Sequence, residues 1–364
     1  MNLKPIVIVL SLLAVNISMA QNRVTTIPAN DSNIRYTGRT MVNSDNSVSF
    51  DWSGTYFETI FTGGYCAVKV SDSRKNYYNL FIDGEFVRVV TTHGKDSTIV
   101  LAKGLAGKQH LLRMQKRSEA EQGRTTVHSF DLEKGASLVS YFPSRARHIE
   151  FIGNSITAGY GTEGKVKTEP FKAETENCNL AYGAIISRYF DADYTFIAHS
   201  GRGAVRNYGD KNRVSKNTMR ERMMNTFDED STFKWDFKGY KPDLVVINLG
   251  SNDFSTNPHP LREEFLGAYA EILVRLRGVY GADVPVLCVA PPKGPAFDFI
   301  RDFVRDSKDA RLGFAAYLNG VYNDGSDQGS SGHPNYEGQK KIAMNLIPYI
   351  STLTGWPLTG KVIE

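Results

Sequence analysis

Cysteine is scarce in this chain, and the three that occur, Cys66, Cys178 and Cys288, cannot all pair with one another. Two of them lie in the strand-like runs YCAVKV and VLCVA, where a free thiol packs as a small hydrophobe, so disulfides are not expected to hold the fold together. No close grouping of His and Cys has the spacing of a metal site, and neither a metal nor any other cofactor is expected. Beyond the N-terminus, no run approaches the roughly eighteen apolar residues that a membrane-spanning helix needs. Charge of one sign is also lacking. With 43 Lys and Arg against 39 Asp and Glu, the formal net charge is +4. The bases are interspersed with acids, which argues against a nucleic-acid partner. A small basic cluster, Arg145 and Arg147, reads as part of a solvated linker.

What is present begins with MNLKPIVIVLSLLAVNISMA, which has a basic start at Lys4, an apolar stretch from Ile6 to Val15, and small residues at Ser18 and Ala20. This is the pattern of a cleavable export signal over residues 1–20, and it predicts a secreted or periplasmic protein. From about Asn33 to Val139 the apolar residues recur with period two, in SVSFDW, YFETIF, YCAVKVSD, YNLFIDGEFVRVV, STIVLA, HLLRMQ and TTVHSFDL. In YCAVKVSD, Cys66, Val68 and Val70 fall on one face and Ala67, Lys69 and Ser71 on the other, as a half-buried antiparallel strand requires. Asp83-Gly84, between LFI and EFVRVV, is a hairpin signal, because both central positions of such a turn need positive φ. Strands in succession without amphipathic helices between them predict an antiparallel β-sandwich within residues 21–142. Whether that sandwich binds sugar or only packs is open at this point.

After SYFPSRAR, a linker pattern at residues 140–147, the rhythm changes. HIEFIG, YTFIAHS, DLVVINLG and VPVLCVA are short continuous apolar runs, as strands buried on both faces are. Between and after them, LAYGAIISRYF, EEFLGAYAEILVRLRGVYG and YEGQKKIAMNLIPYISTL carry apolar residues at spacings of three and four. Residues 143–364 are therefore expected to form a layered α/β domain around a parallel sheet. Functional groups in such a sheet collect at the carboxyl ends of the strands. Three of the strands end in polar, glycine-containing turns: GNS, SGRG and GSND. The stretch GYGTEGKV, residues 159–166, imitates a phosphate-binding loop, but Val166 stands where a magnesium-binding hydroxyl belongs and Pro170 spoils the helix that should follow.

A serine in a turn usually does no more than bond nearby backbone. Ser155, in FIGNSITAGYG, has better company. Serine esterase chemistry needs a nucleophile, a base within hydrogen-bond reach and donors for the oxyanion of the tetrahedral intermediate. Ser155 ends the first strand and offers a hydroxyl and a backbone N–H. Gly201, in AHSGRG, offers a backbone N–H without a side chain in the way. Asn252, in NLGSND, offers an amide. His333, in SGHPN before the last amphipathic helix, offers an imidazole. Singly these read as a turn, a turn, a helix cap and a surface loop residue.

Their order resembles the blocks of the SGNH (GDSL-type) hydrolases over roughly residues 148–350. More narrowly, GNSITAGYG, SGRG with RNYG, INLGSNDFS and HPN, behind a β-sandwich opening with RYTGR, resemble carbohydrate esterase family two. That resemblance implies a two-domain fold, a jelly-roll-like sandwich followed by a three-layer α/β SGNH domain. It implies an exported enzyme that removes O-acetyl groups from plant polysaccharides such as xylan and mannan, with a preference for position 6, and needs no cofactor. It also implies Ser155 as nucleophile, His333 as base, and Gly201, Asn252 and the Ser155 N–H as oxyanion hole.

Two positions depart from the family pattern. Asn154 replaces the Asp that often precedes the serine, a change expected to tune the turn. Ser330 stands where Asp-x-x-His would place an acid. The third triad member keeps Nδ1 of the imidazole protonated and stabilises the imidazolium; a main-chain carbonyl can do the first and does the second less well. The expectation is therefore a Ser155–His333 dyad oriented by a carbonyl near Ser330, with Asp327 as the competing acid. Tyr160, Trp235 and Phe254 could stack on a sugar ring or simply fill core and surface. Two rival readings stand: an SGNH esterase for another ester, such as a sialic acid acetate or a lipid, and a carbohydrate-binding protein that has lost turnover.

Overall fold

The computed structural model describes residues 24–140, 145–292, 294–317 and 325–363. The expected export signal and residues 141–144 of the expected linker lie outside the described residues. The alternating segments between Thr25 and Val139 form two antiparallel sheets. In one, the order is Met41–Val42, Val48–Phe50, Thr125–Leu132, Cys66–Asp72 and Ser97–Ala102, with Thr25–Pro28 also on Thr125–Leu132. In the other it is Leu138–Val139, Tyr56–Thr62, Gln109–Lys116, Tyr77–Ile82 and Glu85–Thr91, with Arg35–Thr37 on Tyr56–Thr62. Period-two alternation sends one face of each sheet inward. Phe50, Val68, Phe130, Phe57, Tyr78 and Leu80, drawn from both sheets, meet in one core. Cys66, Val68 and Val70 are buried and Lys69 is exposed, while Ala67 on the outer face is buried as well. Asp83 and Gly84 turn the hairpin with φ of +54° and +89°.

The second half is a three-layer domain. Arg147–Gly153, Ala192–Ala198, Leu244–Asn248, Val286–Ala290 and Leu312–Ala316 form a five-stranded parallel sheet, in the spatial order second, first, third, fourth, fifth. Both faces are covered, which is why the strands read as continuous apolar runs. Ile152, Ile197, Ile247 and Cys288 pack against the helices Arg262–Tyr280 and Pro295–Ser307. Phe151, Phe196, Val246 and Leu287 pack against Tyr182–Tyr189 and Tyr336–Thr354 on the opposite face. The fifth strand, LGFAA, has only two of its five residues fully buried and carries Gly313, so its apolar signal is weak; neither it nor the Pro295–Ser307 helix is foreseen by the reading above. This strand order reverses direction beside the first strand, and a crevice opens there at the carboxyl ends.

The sandwich is fastened to the α/β domain through buried polar groups. The Arg39 guanidinium donates to the carbonyls of Met223 and Asn225 at 2.6 and 2.8 Å and faces Glu150 at 3.3 Å. The Trp52 indole N–H donates to the Thr226 carbonyl at 3.0 Å. A buried charge without partners would be very costly, so these contacts fix how the two domains meet.

Candidate active site

The first parallel strand ends at Gly153, and the chain turns through an extended Asn154 into a single helical turn, Ser155–Ala158. Asn154 caps that turn: its side-chain oxygen accepts from the Ile156 N–H at 3.4 Å, and its amide donates to Ser251 Oγ at 2.9 Å. Asparagine at this position thus both caps and donates, whereas a carboxylate could only accept. Ser155, at the first helical position, is 7% exposed. Its hydroxyl lies 2.9 Å from Nε2 of His333.

His333 follows a short turn, Ser330–Gly332, and precedes the helix Tyr336–Thr354, whose first turn Asn335 caps by accepting from the Gly338 N–H at 3.1 Å. Burial lowers the pKa of His333 below the ordinary histidine value, and the carbonyls of Ser331 and Ser330 oppose that shift without reversing it. That direction favours the neutral ring, the form a general base requires. Nδ1 is buried and has no partner of full hydrogen-bond geometry, so the two carbonyls are the groups positioned to favour a proton there. Asp327 is buried, and its carboxylate meets the Lys341 ammonium at 2.6 Å. The loop bearing His333 rests on the stretch that imitates a phosphate loop. A Cβ on Gly161 would fall 2.8 Å from the Ser330 carbonyl oxygen, and one on Gly164 would fall 2.3 Å from the Ser330 nitrogen. Those glycines serve close backbone packing; the segment is turn rather than the start of a helix.

Gly201 follows the second strand with φ +76°, the left-handed region that suits glycine. Around it, the His199 N–H donates to the Gly153 carbonyl, the Ser200 N–H to Glu119 and the Arg202 N–H to the His199 carbonyl. The Gly201 N–H finds no acceptor among the described residues. Asn252 donates one amide N–H to the Arg202 carbonyl at 2.9 Å, which leaves the other available. Next to it, the buried Asp253 carboxylate accepts from three successive N–H groups, Ala204 at 3.1 Å, Val205 at 2.8 Å and Arg206 at 2.9 Å. The loops after the second and third strands are thereby locked together.

Ser155, Gly201, Asn252 and His333 line one cleft of about 600 Å³, together with Tyr160, Tyr208 and the 331–334 loop. Of the three aromatics considered from sequence, only Tyr160 lines it, stacked on Phe171 at 4.0 Å between ring centres and 4.3 Å from the His333 ring. Trp235 packs edge-on to Tyr240, and Phe254 edge-on to Phe265 and Phe299. Tyr208, 64% exposed, was missed, because a lone tyrosine in a loop has no periodicity to mark it; its signal was the RNYG that follows SGRG.

Among the described residues, Glu121, His199 and Glu229 bring one ligand atom each within 4.8 Å of one another. Burial alone would lower the pKa of His199, but its hydrogen bonds to Asp228 and Glu121 carry it up to about 10. Both ring nitrogens are engaged in these hydrogen bonds.

Comparison with known proteins gives two family matches, Carbohydrate esterase 2 N-terminal over residues 36–141 and GDSL-like Lipase/Acylhydrolase family over residues 151–341. The cellulase/esterase CelE of Acetivibrio thermocellus is 32% identical over 333 residues, covering 89% of this chain and 40% of the relative. An acetylxylan esterase / glucomannan deacetylase of Cellvibrio japonicus is 34% identical over 229 residues, covering 60% of this chain and 61% of the relative. The chain thus spans about two fifths and three fifths of the lengths of these two curated relatives. A structure of a family two carbohydrate esterase from Clostridium thermocellum in complex with cellohexaose superposes with a TM-score of 0.82 at 31% identity, covering 89% of this chain and all of that one.

Proposed function

Since the chain belongs to the family two carbohydrate esterases, within the GDSL-like lipases and acylhydrolases, we propose that it is a serine esterase that removes O-acetyl groups from plant polysaccharides such as xylan or glucomannan. The observation that carries this reading is the 2.9 Å contact between Ser155 Oγ and His333 Nε2 in the cleft shared with Gly201 and Asn252. In the proposed reaction, His333 takes the Ser155 proton as Oγ attacks the acetyl carbonyl. The oxyanion is held by the N–H groups of Ser155 and Gly201 and by the Asn252 amide; losing one such donor typically costs about 3 kcal/mol of transition-state stabilisation. His333 then protonates the departing sugar hydroxyl, and water repeats the sequence on the acetyl-serine. Ser155 is suited to donate its N–H because the first amides of a helix have no intrahelical acceptor. Exposed Tyr208 and the stacked Tyr160 offer flat apolar surface to a sugar ring. On the N-terminal leader pattern, we place the activity outside the cytoplasm as part of the same proposal.

The test is acetate release from acetylated glucomannan and xylan by the wild-type chain and by Ser155→Ala. Release by the wild type, abolished in the variant, is expected. Saccharide binding without release would favour a binding protein. Preference for octanoyl over acetyl nitrophenyl esters would favour a lipid esterase.

A further inference from the structure

The loop that carries Gly201 is held from outside its own domain. Glu119 belongs to the sandwich, three residues past the strand Gln109–Lys116, and is 2% exposed. Its carboxylate accepts from the Ser200 N–H and, at 2.6 Å, from the Ser200 hydroxyl. Two residues on, Glu121 Oε1 lies 3.0 Å from Nε2 of His199, whose Nδ1 faces the buried Asp228. The sandwich segment is itself pinned. The buried Lys116 ammonium donates to the Ser118 and Glu119 carbonyls, each at 2.7 Å, and the Arg117 guanidinium to the Glu176 carbonyl at 2.8 Å. Two consecutive residues, His199 and Ser200, are thus gripped by the sandwich immediately before the residue whose N–H is left unaccepted.

We propose that the β-sandwich contributes to catalysis by holding the oxyanion-hole loop, with Glu119 and Glu121 as positioning residues that aim the Gly201 N–H. The inference rests on the esterase reading above. Glu119 cannot act by its charge, because a carboxylate beside a developing oxyanion would oppose it. Its role is geometric: accepting from both the N–H and the hydroxyl of Ser200 fixes the peptide that precedes Gly201. A donor displaced by about 1 Å can cost on the order of a hundredfold in rate. His199, protonated between Asp228 and Glu121, offsets the negative charge gathered there. A glutamine at 119 would keep the arrangement, its oxygen accepting from the Ser200 N–H and its NH₂ donating to the Ser200 hydroxyl.

The experiment uses the full chain with an acetyl nitrophenyl ester, and compares wild type, Glu119→Ala, Glu119→Gln and the half-exposed Glu121→Gln. Glu119→Ala is expected to lower kcat by about tenfold to a hundredfold with KM within about twofold, and Glu119→Gln to recover most of that loss. Glu121→Gln, which keeps the core intact should Glu119→Ala fail to fold, is expected to lower kcat by about threefold to tenfold. Amide hydrogen exchange supplies a readout independent of turnover. The Ser200 N–H should exchange at least about tenfold faster in Glu119→Ala, while the strand Ala192–Ala198 keeps its protection. Wild-type kcat in both Glu119→Ala and Glu121→Gln, or unchanged exchange at Ser200, would overturn the proposal. If the wild type fails to cleave acetyl esters, the esterase reading falls by itself, and the exchange comparison still decides whether Glu119 holds this loop.

Discussion

The Asn252 amide donates to the carbonyl of Arg202 at 2.9 Å, a bond between the loops that follow the third and second parallel strands. One N–H of the amide is spent on holding the side chain, which leaves the other available, and Asn252 lines the cleft that Ser155 and Gly201 share. An oxyanion donor acts most strongly in the transition state, so Asn252→Ala should lower kcat by about a hundredfold or more while changing KM little. Steady-state kinetics on an acetyl ester checks this. A kcat equal to wild type would remove Asn252 from the oxyanion hole.

Asp327 is committed to Lys341 at 2.6 Å rather than being held ready for the imidazole. Replacing it with Ala should leave kcat within about tenfold of wild type, the effect of a disturbed loop rather than of a lost catalytic group. A fall beyond about a hundredfold would make Asp327 the third member of a triad and dispose of the carbonyl-held dyad.

Burial lowers the pKa of His333, and the sign for activity follows directly. The base must be neutral, so kcat/KM should rise with pH along an acid limb centred below the ordinary histidine value of about 6.5. A pH-rate profile from about 4 to 8 on a neutral acetyl ester measures it. An acid limb centred above 7 would mean that a charge partner, not two carbonyls, governs the ring.

Gly164 carries no side chain because the backbone of Ser330 lies where a Cβ would be, 2.3 Å from the Ser330 nitrogen. Gly164→Ala should push the loop bearing His333 away from Ser155, lowering kcat by at least about tenfold and stability by about 1–3 kcal/mol. Denaturant unfolding alongside kinetics separates the two effects. An unaltered enzyme would show that the loop can shift without moving the imidazole.

Linkage makes a further statement about His199. Its pKa is carried from about 6.5 in an unfolded chain up to about 10 in the fold. Its charged form therefore contributes stability that is full below about pH 6.5 and is lost as pH rises toward and through 10. The groups that face it are Asp228, Glu121, Glu119 and Glu229, with Arg222 paired to Asp228 at 2.9 Å. Unfolding midpoints between pH 7 and 10 should fall in the wild type and fall less steeply in Glu121→Gln, where one of the carboxylates that raise this pKa is gone. Equal slopes would contradict the pairing.

The residues of the cleft were legible one strand end at a time. Parallel strands buried on both faces read as apolar runs, the chain can turn at their ends only with small or polar residues, and Ser155, Gly201 and Asn252 stand in those turns. Alternation marked the sandwich just as directly, and the Asp83-Gly84 hairpin was fixed by the positive φ that both positions need. The fifth strand escaped because LGFAA is interrupted by glycine and buries only two of its five residues fully, whereas the equally short third and fourth strands are unbroken apolar runs.

The sequence by itself determined which chemical groups stand at the rim of the sheet, because strand periodicity and turn chemistry are local. Only the tertiary structure decided what surrounds them: the 2.9 Å meeting of residues 155 and 333, Arg202 beneath Asn252, Ser330 against Gly164, and Glu119 under Ser200. The physical reason is separation along the chain. A hydrogen bond between groups 81 or 178 residues apart imposes no period and no local composition on either segment, so it is fixed only when distant segments pack, within the α/β domain for Ser155 and His333 and across the two domains for Glu119 and Ser200.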